Sequence, residues 1–178
     1  KSGRKIMLVA TKKQAREVIT QLAQSVNMPY VTDRWLGGMM TNFATIRRSV
    51  KKMNNIERML TDSSITNITK KERLSLSRER TKMDRVLGGV AALNRLPSAI
   101  FVVDTIHEHL ALKEAERLGV RTFAMVDTNS DPNEVDFPIP ANDDSSKSIS
   151  LIAAYLTQAI KEGLAERGDS GEAAGSNN

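Results

Sequence analysis

The amino-acid sequence predicts an α/β protein in which helices cover both faces of an open parallel sheet. Short apolar runs typical of strands alternate with apolar positions spaced three and four residues apart, which indicates amphipathic helices. One run, Ala99–Val103, is almost continuously apolar, as expected for a strand buried on both faces of a parallel sheet. The stretch 43–87 has no convincing strand pattern, so a helical insertion is expected there.

The first two strands are expected within residues 6–31. A β-rich apolar run at 6–10 predicts the first strand, and Tyr30–Val31 predicts a very short second strand. Pro29 closes the helix between them. The apolar positions of that helix are Ala15, Val18, Ile19, Leu22, Ala23 and Val26.

Three more strands and two more helices are expected from residues 99–160. The run at 99–103 is followed by a helix that Gly119 caps, and Val120–Val126 repeats the strand pattern. Phe137–Pro140 is predicted to be an edge strand, because prolines cannot donate to a central ladder. Apolar positions from Ile149 to Ile160 predict the last helix, and the small, polar segment 168–178 is predicted to be a disordered tail. The stripe of the helix before Gly119 consists of Leu110, Ala111, Ala115 and Leu118.

The insertion at 43–87 is predicted to form two antiparallel helices that join near residues 62–69. Its apolar seam is narrow and its other faces are charged, which favours a coiled-coil-like projection. The stretch 47–85 contains 12 Lys/Arg and 5 Asp/Glu, so this hairpin is basic. The expected domains are a sheet domain at 1–42 and 88–167 and the inserted hairpin at 43–87. The seam positions are Ile46, Val50, Met53, Ile56, Leu60, Leu76, Met83 and Leu87.

Charge is distributed unevenly along the 178 residues. Residues 1–97 hold 20 Lys/Arg and 7 Asp/Glu, a net charge of +13, whereas residues 98–178 hold 6 and 14, a net charge of −8. This division suggests that one surface meets a polyanion such as nucleic acid. No apolar run approaches the roughly 18 residues of a membrane span, and no signal-peptide pattern is present. The absence of cysteine excludes disulfides and thiolate chemistry, and we expect a cytosolic protein.

The stretch 33–43 is the first candidate binding site. It contains the only tryptophan, Trp35, beside Arg34 and just before Gly37 and Gly38, which allow positive φ and close backbone approach. Arg34 can clamp a phosphate through two donors, and an exposed indole can stack on a base. Alternatively, Trp35 plugs the core and the glycines only turn the chain into the hairpin.

Further candidates lie where strands are expected to end. Lys12 and Lys13 follow the first strand, where open parallel sheets bind ligands, but no Gly-rich phosphate loop accompanies them. They are either isolated contacts to a phosphate backbone or a solvated helix start. An acidic rim follows the later strands and could bind zinc or magnesium or act in acid–base catalysis, although aspartates before helices commonly serve as N-caps. The rim comprises Asp104, His107, Glu108, His109, Asp127, Asp131, Asp143 and Asp144.

In order along the chain, these stretches resemble the bacterial-type second protein of the small ribosomal subunit. The Arg34–Trp35 stretch and the stretch Val-Asp-Thr-Asn-Ser-Asp-Pro at 126–132 are the distinctive parts of the resemblance. Arg121 departs from the family pattern, and Ser75 and Ser77 weaken the second hairpin helix. The resemblance covers nearly all of the chain, in blocks within 10–15, 34–43, 70–72, 87–89, 95–97, 109–115, 126–132 and 139–144.

The resemblance implies a flavodoxin-like sheet with an inserted helical hairpin, without catalysis and without a cofactor. It implies binding to small-subunit ribosomal RNA between the head and the body of the subunit, in the cytoplasm. The large flexible mRNA-binding protein of the small subunit is the expected protein neighbour. No membrane and no second copy of the chain is expected as a partner. The resemblance also implies that the family's N-terminal segment is missing here.

The residues expected to bind RNA are basic or polar and lie in the hairpin, in the loop before it, or near strand ends. They are expected to recognise the RNA by its backbone and shape, because the A-form major groove does not admit side chains. Two alternatives remain open: a metal-dependent hydrolase that uses Asp104, Asp127 and His107, and a protein-binding adaptor that uses the hairpin. The expected RNA-binding residues are Lys12, Lys13, Arg34, Trp35, Asn42, Arg47, Arg48, Lys51, Lys52, Arg78 and Arg95.

Overall fold

The computed structural model of the chain describes residues 4–62 and 69–175. Its strands form one sheet of five parallel strands, which confirms the predicted flavodoxin-like α/β class. The elements are β1 (Ile6–Val9), α1 (Lys13–Ser25), β2 (Tyr30–Val31), α2 (Phe43–Thr61), α3 (Lys70–Leu87), β3 (Ala99–Val103), α4 (His109–Leu118), β4 (Arg121–Val126), β5 (Phe137–Pro140) and α5 (Ser146–Gly175). The strand order is β2-β1-β3-β4-β5, so the chain reverses its direction across the sheet between β1 and β3.

The central strand β3 is buried on both faces, as predicted. Successive side chains of a strand point to opposite faces, so Ile100 and Val102 belong to one core and Phe101 and Val103 to the other. All five residues of β3 are buried. Helices α1 and α5 cover one face of the sheet, and α4 covers the other together with the first turns of α2.

Two consecutive helices, α2 and α3, interrupt the alternation of strands and helices between β2 and β3 and contact each other. They begin at Phe43 and end at Leu87, and we call them the basic helix pair. Residues 63–68, where the two helices are expected to join, lie outside the described residues. Helix α3 starts with a capping box, in which the Thr69 hydroxyl accepts from the Glu72 backbone and the Glu72 carboxylate accepts from the Thr69 backbone.

The predicted seam of the helix pair is buried unevenly. On α2 the seam positions Ile46, Val50, Met53 and Ile56 are all buried. On α3 only Leu87 is fully buried, while the seam positions Leu76 and Met83 are half-buried. The coiled-coil character of the pair therefore stays a prediction for α3.

The apolar face of α4 differs slightly from the sequence expectation. The predicted stripe on α4 is shifted, because Leu112 is buried while Leu110 is 46% and Leu118 38% exposed. Each residue turns a helix by about 100°, so the face that carries Ala111 and Ala115 includes Leu112 rather than Leu110.

Strand β5 lies at one end of the sheet, which confirms its prediction as an edge strand.

The last helix, α5, continues through Gly175, whereas the sequence predicts a disordered tail at 168–178. Residues 176–178 lie outside the described part of the chain. None of the helices in the described ranges is both long enough and apolar enough to cross a membrane.

Candidate nucleic-acid interface

The basic residues of α2 differ in whether their side chains already form ion pairs or hydrogen bonds within the chain. Arg48 and Lys51 are exposed and have no ion-pair partner among the described residues. Lys52 pairs with Glu79 of α3 at 2.6 Å. Arg47 donates from Nη1 to the Leu93 carbonyl at 2.8 Å and to the side chain of the next residue, Asn94, at 2.6 Å. Arg48 and Lys51 are therefore available to a partner, as is Arg58 in the last turn of α2, which is also exposed.

Arg47, Arg48 and Lys51 line one shallow groove together with the loop that follows α3. The rest of its lining is Val50, Asn54, Ala91 and Asn94. Arg95 comes next in the chain, is exposed, and precedes β3 at the amino edge of the sheet. The structure thus brings four of the expected RNA-binding residues to one region, the three that line the groove and Arg95 beside it.

The other expected residues lie elsewhere. Lys13 and Arg34 are exposed and follow β1 and β2 at the carboxyl edge of the sheet. Arg78 is exposed on α3, and Asn42 is the exposed N-cap residue of α2. Their spread means that the eleven expected residues do not form a single compact site.

A single carboxylate, Glu114 of α4, organises the loop between β2 and α2. Its Oε1 accepts from the Trp35 indole at 3.0 Å and from the Gly38 backbone at 2.7 Å. Its Oε2 accepts from the backbone of Met40 at 2.9 Å, and from the backbone and hydroxyl of Thr41 at 3.0 and 3.1 Å. Glu114 therefore satisfies the donors of the turn that leads into α2 and fixes where the basic helix pair begins.

Glycine is required at two positions around this loop. Gly38 has φ +86°, and a Cβ there would lie 3.1 Å from the Asn42 Cβ. At the end of α3, a Cβ on Gly89 would overlap the backbone oxygen of Tyr30 in β2. The two glycines let the loop turn and let the chain after α3 approach the sheet closely.

Trp35 is placed differently from the RNA-facing role expected for it. Its side chain is only 6% exposed and packs in the core that contains Met39, Met40 and Ile46. The indole uses its one donor on Glu114. Because the ring is buried, it does not offer a face on which a base could stack, and the alternative that Trp35 plugs the core is the correct one.

The charge of Glu114 is stabilised by these donors. Burial by itself raises the pKa of Glu114, but the hydrogen bonds from the Thr41 and Met40 backbones and from the Trp35 indole outweigh burial and hold the pKa below its usual range. This role of Glu114 was not predicted from the sequence. The sequence clue to this role is that Glu114 lies between Ala111 and Ala115, which are on the buried face of α4.

Lys12 also departs from its expected role in RNA binding. Its Nζ lies 2.7 Å from a carboxylate oxygen of each of Asp104, Asp143 and Asp144, and its side chain is only 15% exposed. We call these four residues the aspartate cluster. Three carboxylates already neutralise this ammonium group, so Lys12 is a structural cation rather than a free contact for phosphate.

Electrostatics in the aspartate cluster reflect burial and pairing together. Burial lowers the pKa of Lys12, but its hydrogen bonds to Asp104, Asp143 and Asp144 reverse this effect and raise it overall. Burial raises the pKa of Asp104, but Lys12 and the His107 backbone outweigh it and hold the pKa down. Burial and the neighbouring carboxylates raise the pKa of Asp143 despite its contact with Lys12.

Two further aspartates of the acidic rim accept hydrogen bonds within turns of the chain. The Asp127 carboxylate accepts from the backbones of Thr128 at 2.7 Å and Asp143 at 3.3 Å. Asp131 accepts from the Asn133 backbone at 2.8 Å. Within residues 4–62 and 69–175, no group of three His, Cys, Asp or Glu side chains is arranged to hold a metal ion. Asp131 thus caps the short helical turn Pro132–Glu134. The aspartates expected as N-caps, Asp104, Asp143 and Asp144, instead contact Lys12.

Fold and surface together define a flavodoxin-like α/β protein with a cationic helix pair between its second and third strands. The family model described as ribosomal protein S2 matches residues 1–163. The chain belongs to the ribosomal protein S2 family.

Curated relatives agree with this family. The chain is 59% identical over 167 residues to small ribosomal subunit protein uS2 of Cytophaga hutchinsonii, a match that covers 94% of this chain and 66% of that protein. It is 57% identical to uS2 of Porphyromonas gingivalis, covering 94% and 59%, and 55% identical to uS2 of Bacteroides thetaiotaomicron, covering 94% and 60%. The chain thus spans less than two thirds of the length of these relatives.

Proposed function

We propose that the chain is a structural constituent of the small ribosomal subunit, which binds small-subunit ribosomal RNA and supports subunit assembly and translation in the cytoplasm. Family membership carries this proposal, because relatives at 59% and 57% identity are named small ribosomal subunit proteins. The proposed role is not enzymatic and requires no cofactor. The acidic residues considered for catalysis support this view, since they form ion pairs and turn contacts.

The proposed mechanism of RNA binding is neutralisation of phosphates by cations that the fold leaves free. Arg48, Lys51 and Arg78 are exposed and lack ion-pair partners among the described residues. Binding releases the counterions condensed on RNA, which makes the affinity depend strongly on salt. The helices hold these cations on a rigid surface, which suits recognition of an RNA by its backbone and shape.

Proteins of the same subunit complete the proposed set of partners. The acidic part of the carboxyl edge, after β4 and β5, is proposed to face a protein neighbour, the large mRNA-binding protein of the small subunit. Asp144 supports this assignment, because its side chain stays 67% exposed although it contacts Lys12. The proposal includes neither a membrane nor a second copy of the chain.

A test of this function should remove the two unpaired α2 cations that line the groove, without breaking contacts within the chain. The variant R48Q/K51Q is compared with R117Q/K147Q, which removes two exposed cations from α4 and α5. Tagged chains are expressed in a bacterium, and their incorporation into small subunits is measured after sucrose-gradient sedimentation. We expect R48Q/K51Q to incorporate less, and its RNA affinity to lose roughly 1.4–1.8 units of salt slope if each cation neutralises one phosphate.

Wild-type chain that stays absent from small subunits would refute the proposed function. If the two double variants are incorporated equally, the chain is still a ribosomal component, but the groove does not contribute to RNA binding. Binding that is insensitive to salt and directed to a protein would favour the adaptor alternative instead.

A further inference from the structure

A cleft opens at the carboxyl edge of the sheet, at the point where the chain reverses direction between β1 and β3. Its volume is about 340 Å³. Open α/β sheets bind ligands at this kind of switch point, and small-ligand pockets measure roughly 300–1,000 Å³. Its ionisable lining residues are Arg16, Asp33, Arg34, Arg85, His107 and Glu108.

The three arginines of the cleft are arranged around Asp33. Arg16 is fixed by three hydrogen bonds, from Nε to the Thr11 carbonyl at 2.9 Å, from Nη1 to the Asp33 carboxylate at 3.3 Å and from Nη2 to the Asp33 carbonyl at 3.1 Å. Arg85 forms an ion pair with the same carboxylate oxygen, with its Nε 2.9 Å away. Asp33 thus holds two guanidinium groups in defined positions at the same opening.

Donors remain available after these contacts. The Nη groups of Arg85 have no acceptor among the described residues, and its side chain is 71% exposed. Arg34, which is also exposed, has no ion pair within the described part of the chain. The unpaired guanidinium group of Arg34, beside two that Asp33 holds in place, forms a geometry suited to the oxygens of a phosphate group.

The acidic residues of the cleft do not cancel these charges. Asp33 is one carboxylate against three arginines. The Glu108 carboxylate is buried and is turned to Thr11, whose backbone and hydroxyl both donate to it. Burial raises the pKa of Glu108, and hydrogen bonds from Thr11 oppose this effect. The cleft is therefore cationic overall.

The cleft continues a row of basic side chains along α3. Positions seven, eleven and fourteen residues after Lys71 fall on one face of an α-helix, and they are occupied by Arg78, Lys82 and Arg85. All four side chains are exposed. The row spans about 21 Å at a rise of 1.5 Å per residue, and it ends at the arginine that lines the cleft.

We propose that this arginine cleft binds a backbone phosphate of RNA, and that the row on α3 carries the same strand to it. The continuity between row and cleft favours a polymer of phosphates over a free phosphorylated metabolite. The inference rests on the proposed function and adds Arg16, Lys71, Lys82 and Arg85 to the interface. Arg34, which stands alone in the sequence pattern, becomes one of three arginines at the same opening.

The test measures affinity for a bacterial small-subunit ribosomal RNA transcript over a series of salt concentrations. The variants are R85Q and R34Q, with R117Q as the matched control on α4. We expect each cleft variant to bind about tenfold more weakly, as for the loss of a charge-assisted hydrogen bond. Each should also lower the salt slope by roughly 0.7–0.9 per phosphate contact, while R117Q resembles the wild type.

Thermal unfolding tests whether the variants are folded. R85Q should have the same melting temperature as the wild type, because the Arg85 side chain is exposed. In the double variant R34Q/R85Q, the loss should be smaller than the product of the single losses if both arginines hold one phosphate. If R48Q/K51Q weakens RNA binding but R34Q and R85Q bind like R117Q, the cleft does not bind RNA and the proposal is wrong. The proposed function would then still hold. If the wild-type chain fails to bind the RNA at all, the proposed function and the cleft both fall.

A second probe, polyglutamate, separates RNA from an acidic protein segment. We expect polyglutamate to compete weakly and R85Q to affect RNA binding more than polyglutamate binding. Should R85Q weaken only the binding of polyglutamate, the cleft belongs to an acidic protein segment and the proposal is wrong.

Discussion

The aspartate cluster and the basic helix pair both contain lysines, but the structure uses their charges in opposite ways. In the cluster, Lys12 is 15% exposed and touches three carboxylates at 2.7 Å. On the helix pair, Lys51 is exposed and has no ion-pair partner among the described residues. One lysine holds strand ends together and the other is free to meet a partner. Net charge along the sequence does not distinguish these two roles.

The comparison separates stability from RNA affinity. Removing one partner of a buried ion pair typically costs about 3–5 kcal/mol, because the other charges stay buried without compensation. Substitutions of exposed cations usually change the free energy of unfolding by no more than about 0.5 kcal/mol. Variants in the aspartate cluster should therefore affect folding, and variants on the helix pair should affect binding.

The largest effect is expected from Lys12→Met. This change leaves Asp104 and Asp143, both nearly buried, close together without a cation. We expect the free energy of unfolding to fall by about 3–5 kcal/mol, measured by urea denaturation. The RNA affinity of the molecules that remain folded should match the wild type.

Lys13→Met is the matched control for this variant. Lys13 is the next residue and is exposed at the start of α1, so its loss should change the unfolding free energy by less than about 0.5 kcal/mol. If Lys12→Met instead kept wild-type stability and lost RNA affinity, Lys12 would return to the RNA-binding residues and the comparison would fail.

Glu114→Gln should have an intermediate effect and should affect both properties. A glutamine side chain can accept through only one oxygen, so at least two of the five donors around Glu114 lose their acceptor. We expect a loss of about 2 kcal/mol in unfolding free energy, from hydrogen bonds to a charged group. RNA affinity should fall as well, because the loop that positions α2 loosens. Glu116→Gln, an exposed change on the same helix, should affect neither property.

A pH series distinguishes the charge of Glu114 from its shape. The folded-state pKa of Glu114 lies below its usual range, so the stabilisation is fully present above the ordinary carboxyl pKa. It is lost as the pH falls through the lowered folded-state value. The stability difference between wild type and Glu114→Gln should therefore shrink on acidification. A difference that is the same at neutral and acidic pH would show that the charge of Glu114 is unimportant.

The fold could be predicted from the sequence because its signals are local. Ala99–Val103 is apolar along its length, and only a strand covered on both faces buries such a run. The spacing of Ile46, Val50 and Met53 likewise marks the buried face of α2. Where the prediction shifted, as at Leu110, a difference of one residue in the helical stripe was enough.

The candidate interface was less predictable, because the availability of a charge depends on contacts distant in sequence. Lys12 is neutralised by residues 92 to 132 positions away, and no periodicity in the sequence pairs it with them. Trp35 is fixed by Glu114, which lies 79 positions away. Arg16 and Arg85 meet at Asp33 only because α3 returns to the sheet. Composition indicated a polyanion partner, but only the fold separates free cations from used ones.

The smallest effect is expected from Glu79→Gln, which tests whether a charge can be moved from one role to the other. Glu79 pairs with Lys52 at 2.6 Å, and both side chains are substantially exposed, at 43% and 63%. An exposed pair of this kind contributes roughly 0.2–1 kcal/mol, so stability should barely change. RNA affinity should rise and the salt slope should steepen by at most about 0.7–0.9, because Lys52 is released and a repelling carboxylate is lost. Glu116→Gln removes an equal charge from α4 and should leave the slope unchanged. If Glu79→Gln binds RNA no better than Glu116→Gln, Lys52 does not face the RNA and belongs with Lys12 among the structural cations.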